Sequence, residues 1–112
     1  MIPLNRLVEI IDDKKGFDIA ALDVAQICSF TDTFLIASTR NYIQIEAIAA
    51  AIMDEFKQQG LPMPRMQGTS RSGWVLMDCN TVIIHLFSET ARSHYNIEKL
   101  WASAKPVDMS IS

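Results

Sequence analysis

The sequence predicts an α+β (α/β) domain, with a mixed β-sheet of about five strands and helices packed on it. Three observations carry this. Residues 3–15 and 42–58 repeat apolar side chains at helical spacing. Four short apolar runs, at 17–24, 33–37, 74–78 and 81–87, are bounded by turn-forming residues. The run TVIIHLF is apolar on both faces, which suits a central strand covered from both sides.

In residues 3–15, Leu4, Leu7, Val8 and Ile11 make one stripe, with Pro3 at the first helical position. Lys14 and Lys15 suit the negative end of the helix dipole, and Gly16 is expected to supply the left-handed stop. Residues 17–24 read as a strand with Ile19, Ala21 and Asp23 on one face and Ala20, Leu22 and Val24 on the other. Residues 28–32 read as a loop, and 33–37 as a strand with Phe34 and Ile36 opposed to Leu35.

The helix over 42–58 has Asn41 as N-cap, with Gln44 at capping-box spacing. Its stripe of Ile45, Ile48, Ala49, Ile52, Met53 and Phe56 is core, and Gly60 and Pro62 end it. Pro62 and Pro64 confine residues 61–67 to an edge strand. Gly68, Thr69, Ser70, Ser72 and Gly73 read as a mobile surface loop. It carries no phosphate-loop pattern and does not lead into a helix. Residues 74–78 and 81–87 form a hairpin whose tight loop uses Asn80 for positive φ. Val82, Ile84 and Leu86 share one face; Ile83, His85 and Phe87 share the other. Ser88 caps a short helix with Glu89 in its first turn, and Asn96 caps a last turn through Trp101. The tail from 103 is expected to fray, and the domain is taken as 1–105 with 106–112 as a disordered tail.

At 112 residues the chain suits one domain with its own core. Its net charge of −3 is uneven: residues 1–60 hold nine Asp and Glu against five Lys and Arg, and 61–112 hold four against five. A weakly acidic domain is ill suited to a nucleic-acid backbone, so no DNA partner is expected; it suits a basic protein surface. Cys28 and Cys79 stand far apart and read as reduced, buried thiols. No start resembles a signal peptide and no apolar run approaches the ~20 residues that span a bilayer, so a cytoplasmic protein without membrane attachment is expected.

No residue pattern selects a catalytic centre, and none is expected. Cys28 or Cys79 with His85 or His94 lacks any local signal for a nucleophile and base. His85, between Ile84 and Leu86, reads as a satisfied core histidine, and His94 as a surface one. Neither has neighbours at metal-ligand spacing, so no metal or other cofactor is expected. Asp18, Asp23 and Asp78 could be drawn as a carboxylate cluster for phosphoryl transfer, although a regular strand sets Asp18 and Asp23 on opposite faces. There remain aromatics with no evident core partner: Trp74 at a strand start, and Tyr95 and Trp101 around a polar segment. They either finish the core edge or anchor a protein interface.

The segments SFTDTFLIAS, GWVLMD, VIIHLF and YNIEKLW, in this order across residues 17–101, resemble the ribosomal silencing factor (Iojap-like) family. The family's usual aromatic at Thr33 and its Gly-Asp turn at Asn80-Thr81 are missing here. The resemblance implies a nucleotidyltransferase-like fold without the catalytic signature, and a role that is not enzymatic. It implies binding to the large ribosomal subunit through ribosomal protein fourteen (L14), a steric block to subunit joining, and lowered translation under nutrient limitation. A homodimer of the free protein and a secondary contact with ribosomal RNA are compatible with it. By segment and exposure, the docking neighbourhood is expected at Trp74, Asp78, Arg92, Tyr95, Asn96, Glu98, Leu100 and Trp101. The alternatives are a divergent nucleotidyltransferase using Asp18, Asp23 and Asp78, or a homodimeric interaction module.

Overall fold

The computed structural model describes residues 2–26, 29, 31–95 and 105–106. Its elements are α1 (Leu4–Asp13), β1 (Phe17–Asp23), β2 (Thr33–Thr39), α2 (Tyr42–Gln58), β3 (Arg65–Thr69), β4 (Trp74–Asp78), β5 (Val82–Ser88), α3 (Glu89–Tyr95) and β6 (Lys105–Pro106), with a 3₁₀ turn at Ser70–Ser72. The strands form one sheet in the order β3-β4-β5-β2-β1-β6. β2 and β5 run parallel, in register from Thr33↔Val82 to Thr39↔Ser88. The other pairings are antiparallel. The five longer strands and the helices are those expected; two residues of the supposed frayed tail pair with Leu22 and Asp23 as β6.

Two apolar clusters lie on opposite faces of the sheet. On one, α1 and α2 bury Leu7, Val8, Ile11, Ile45, Ile48 and Ile52 against Ala21, Leu35, Val75, Met77, Ile84 and Leu86. On the other, Val24, Phe34, Ile36, Ile83 and Phe87 pack with Ala91 of α3. The alternation read from the sequence therefore holds in β1, β2 and β5. At 25 cal/mol per Å² each fully buried Ile or Leu contributes roughly 1.5–3 kcal/mol, which makes the α1/α2 face the main store of stability.

Asn41 caps α2 as expected: its side chain accepts from the Gln44 amide at 3.0 Å. Gln44 in turn accepts from the Arg40 amide at 2.7 Å and donates to the Lys14 and Lys15 carbonyls at 3.2 and 3.0 Å. One glutamine thus ties the start of α2 to the end of α1. Farther along the pair, Arg6 and Glu55 are bridged at 2.8 Å, and this hydrogen bond lowers the Glu55 pKa.

Several local readings change. Pro3 is the N-cap of α1, one position earlier than expected. The left-handed residue ending α1 is Lys15, at φ 70, not Gly16. The Gly16 amide donates to Ile11 O and the Lys15 amide to Asp12 O, both at 2.9 Å, the Schellman pattern with Lys15 in the usual glycine place. Gly16 is needed for space: a Cβ there would collide with the Ile11 side chain. β3 begins after Pro64, so both prolines lead into the edge strand rather than lying in it. The supposed mobile loop is a hydrogen-bonded turn. Gly68 and Thr69 finish β3, Ser72 Oγ donates to Thr69 O at 2.7 Å, and Ser70 Oγ donates to Glu46 at 2.7 Å.

A lysine at φ 70 costs about 1 kcal/mol relative to glycine. Lys15→Gly should therefore raise stability by ~0.5–1 kcal/mol, whereas Gly16→Ala should lower it by ~2 kcal/mol or more. Denaturant midpoints of the two variants check this opposition between adjacent positions.

Candidate functional site

The side of the sheet that carries α3 holds an aromatic group built by strand alternation. Trp74 on β4 lies opposite Phe87 on β5, and Phe34 on β2 lies opposite Ile83. Trp74 and Phe87 stack with ring centroids 5.1 Å apart, and Phe34 meets His85 edge-on at 4.7 Å. Trp74 Nε1 donates to His85 Nδ1 at 3.2 Å, which places the imidazole proton on Nε2. That nitrogen is buried and has no partner among the described residues, so His85 is a core histidine satisfied on one side.

Trp74 is half-buried. Its ring lies against Phe87 and His85, and it borders a hollow of about 270 Å³ with Gln67, Gly68, Ser72 and Leu76. Its indole is oriented before any partner arrives, which removes part of the ordering cost of a contact. Gly73 just before it lets α3 approach closely, since a Cβ would come within 2.7 Å of Ser88 Oγ and 3.0 Å of Ala91. Ser88 caps α3 as expected by accepting from the Ala91 amide at 3.2 Å.

Asp78 closes the hairpin, accepting from the Asn80 amide at 2.9 Å, while the Cys79 amide bonds to Val82 O and Asn80 takes φ 77. The two-residue loop is Asn80-Thr81, with positive φ at its first position. Asp78 lies four residues from Trp74 along β4, about 13 Å away. It borders a groove of about 580 Å³ with Leu61, Met63, Arg65 and Cys79. Burial, with Asp78 beside it, pushes the Cys79 thiol up to about 12; the thiol is free, and half-buried where a buried one was expected. Cys28 lies outside the described residues.

Arg92 is turned inward. Its Nη1 donates to the Asp18 carbonyl and, at 2.9 Å, to Ser38 Oγ. The expected docking residues Trp74, Asp78, Arg92 and Tyr95 are thus placed on β4 and α3. The side chains of Tyr95 and His94, and all of Asn96, Glu98, Leu100 and Trp101, lie outside the described residues. What sequence reading missed is the partnership of Trp74 with His85 and of Arg92 with β1 and β2. The first crosses a hairpin between residues 11 apart and the second reaches 54 and 74 residues back, and neither leaves a signal in local spacing.

The aspartates of the enzyme alternative are not brought together. The ladders set Asp78 level with Ile83, Phe34 and Leu22, so Asp78 and Asp23 are separated by three strand spacings, about 14 Å. Asp18 lies at the other end of β1, where a register shift between Phe17 and Ala20 breaks the ladder. Among the described residues no group of His, Cys, Asp and Glu could hold a metal ion. No helix among them is long and apolar enough to cross a membrane.

These features define a class: an α+β domain with one mixed sheet, an oriented aromatic at its margin and a short helix beside it. Residues 3–112 match the family model described as ribosomal silencing factor during starvation, and the chain belongs to the ribosomal silencing factor family. The ribosomal silencing factor RsfS of Bacillus subtilis (strain 168) is 40% identical over 98 residues, spanning 88% of this chain and 83% of the relative. A crystal structure of a Bacillus halodurans protein superposes with a TM-score of 0.80 at 34% identity, covering 94% of this chain and 95% of that one. More distantly, a Mus musculus protein named mitochondrial assembly of ribosomal large subunit protein 1 is 25% identical over 101 residues, 88% of this chain and 44% of that protein. The family is one of ribosome-associated translation regulators.

Burial lowers the His85 pKa to about 4. The unfolded chain takes up this proton near 6.5, so between these values the unfolded state binds more protons than the folded one. The associated stability is complete above about pH 6.5, falls as the pH drops, and levels off below about 4, a loss on the order of a few kcal/mol. Thermal melts across this window should show the decline, and His85→Gln should flatten it.

Proposed function

We propose that this chain binds the large ribosomal subunit through ribosomal protein fourteen. By occupying the face that meets the small subunit, it blocks subunit joining and lowers translation when nutrients are short. It acts in the cytoplasm and needs no catalytic group or cofactor. The observation that carries this reading is the family match over residues 3–112. The name of the Mus musculus relative, which refers to the ribosomal large subunit, points the same way.

The physical chemistry is compatible. A domain with a net charge of −3 suits docking on a basic ribosomal protein, with attraction steering the encounter. In this reading the docking neighbourhood is Trp74, Asp78 and the segment from α3 to residue 101. Trp74 offers a pre-oriented aromatic; Tyr95, Leu100 and Trp101 add apolar anchors; Asp78 and Glu98 meet cationic groups, and Asn96 fixes register.

Sucrose-gradient sedimentation with purified subunits tests it. The chain should travel with the large subunit, and its addition should reduce the fraction of joined ribosomes. Failure to travel with the large subunit overturns the reading. Trp101→Ala and Trp74→Ala should each weaken binding by ~2 kcal/mol, about thirtyfold. Melting the same variants separates an anchor from a core residue, because loss of a core residue lowers thermal stability first.

A further inference from the structure

Helix α3 spans seven residues, Glu89–Tyr95. A helix this short does not hold itself together in water, so its position depends on what it touches. Among the described residues it is tied down by the Ser88 cap, by buried Ala91 and by the side chain of Arg92. Ala91 packs against Phe34 and Ile36 of β2, and Arg92 adds polar contacts to strands distant in sequence, 74 residues back to Asp18 and 54 back to Ser38.

The place it reaches has its own need. Asp18 has φ 49 and sits in the register shift between Phe17 and Ala20. A bulge of this kind turns a carbonyl out of the ladder, and a carbonyl near the sheet surface needs a donor. The guanidinium supplies one and shares the same nitrogen with Ser38 Oγ at 2.9 Å. Hydrogen bonds from a charged donor are among the stronger ones in proteins. Ser38 itself is 2% exposed, so no docked partner can touch it.

We propose that Arg92 is a positioning residue: it pins α3 to the β1 bulge and to β2, and thereby holds α3 in the position from which it meets the partner. This rests on the ribosome-binding reading for the final contact but not for the pin. Arg92 then acts through the helix and not by touching the ribosome.

Arg92→Ala, Ser38→Ala and the double variant test this, studied well below their melting temperatures. Hydrogen–deuterium exchange over residues 89–95 should quicken by about tenfold in both single variants, while β5 stays protected. Binding to large subunits should weaken by about tenfold in Arg92→Ala and detectably in Ser38→Ala, and the double variant should be no worse than Arg92→Ala. Unchanged exchange in both variants overturns the pin. Weaker binding in Arg92→Ala with normal exchange makes Arg92 a direct contact and overturns the proposal. Faster exchange with unchanged binding leaves a purely structural arginine and overturns it too. If the unaltered chain does not travel with large subunits, the ribosome reading has failed, and the proposal as stated falls while the exchange data alone decide the pin.

Discussion

The parallel pairing of β2 with β5 is the constraint on which the rest of this domain depends. Parallel neighbours cannot be joined by a tight turn, so the chain must cross over between them. Here the crossover contains α2, β3 and β4. α2 covers one face, and the β3–β4 pair is laid down as the margin beyond β5. Both central strands are buried on both faces from Phe34 to Ser38 and from Ile83 to Phe87. Even the hydroxyl at the end of β2 is absorbed, with Thr39 Oγ1 bonded to Phe87 O at 3.2 Å.

A pair buried on both faces needs two covers, and they are unequal. α1 and α2 supply long apolar stripes joined by Gln44 and by Arg6–Glu55. On the opposite face, among the described residues, the cover is α3 and an aromatic group in which Trp74, His85 and Phe87 hold one another. The better-covered face provides stability. The other places a half-buried tryptophan and a short pinned helix at the molecule's edge, the kind of material from which a docking surface is made. The aspartates that a catalytic reading would require are spread by the same strand order, since β4 and β1 flank the central pair on opposite sides.

Much of this was legible from residue spacing. The stripe Ile45, Ile48, Ile52, Phe56 marked α2, and Asn41 with Gln44 marked its start, because helix periodicity and capping are local effects. The face assignments in β1, β2 and β5 followed from alternation alone. Gly16 was misread because glycine serves both left-handed backbone and close packing, and only the position of Ile11 tells which applies. The Gly68–Gly73 segment looked mobile because its polar residues find partners partly outside it, in Glu46 and at Gly73 O with Ser88. Of the site residues, the inward turn of Arg92 was not visible.

The sequence by itself determined the helices and the five longer strands, the faces that enter the core and, through its ordered motifs, the family. Each of these depends on neighbours within a few positions or on a pattern preserved along the chain. Only the tertiary structure decided which polar groups meet: Trp74 with His85, Arg92 with the Asp18 carbonyl and Ser38, and Gln44 with the end of α1. Those contacts join segments 11 to 74 residues apart, and nothing in local spacing distinguishes a side chain that will point outward to a partner from one that will be drawn in to satisfy a bulged strand.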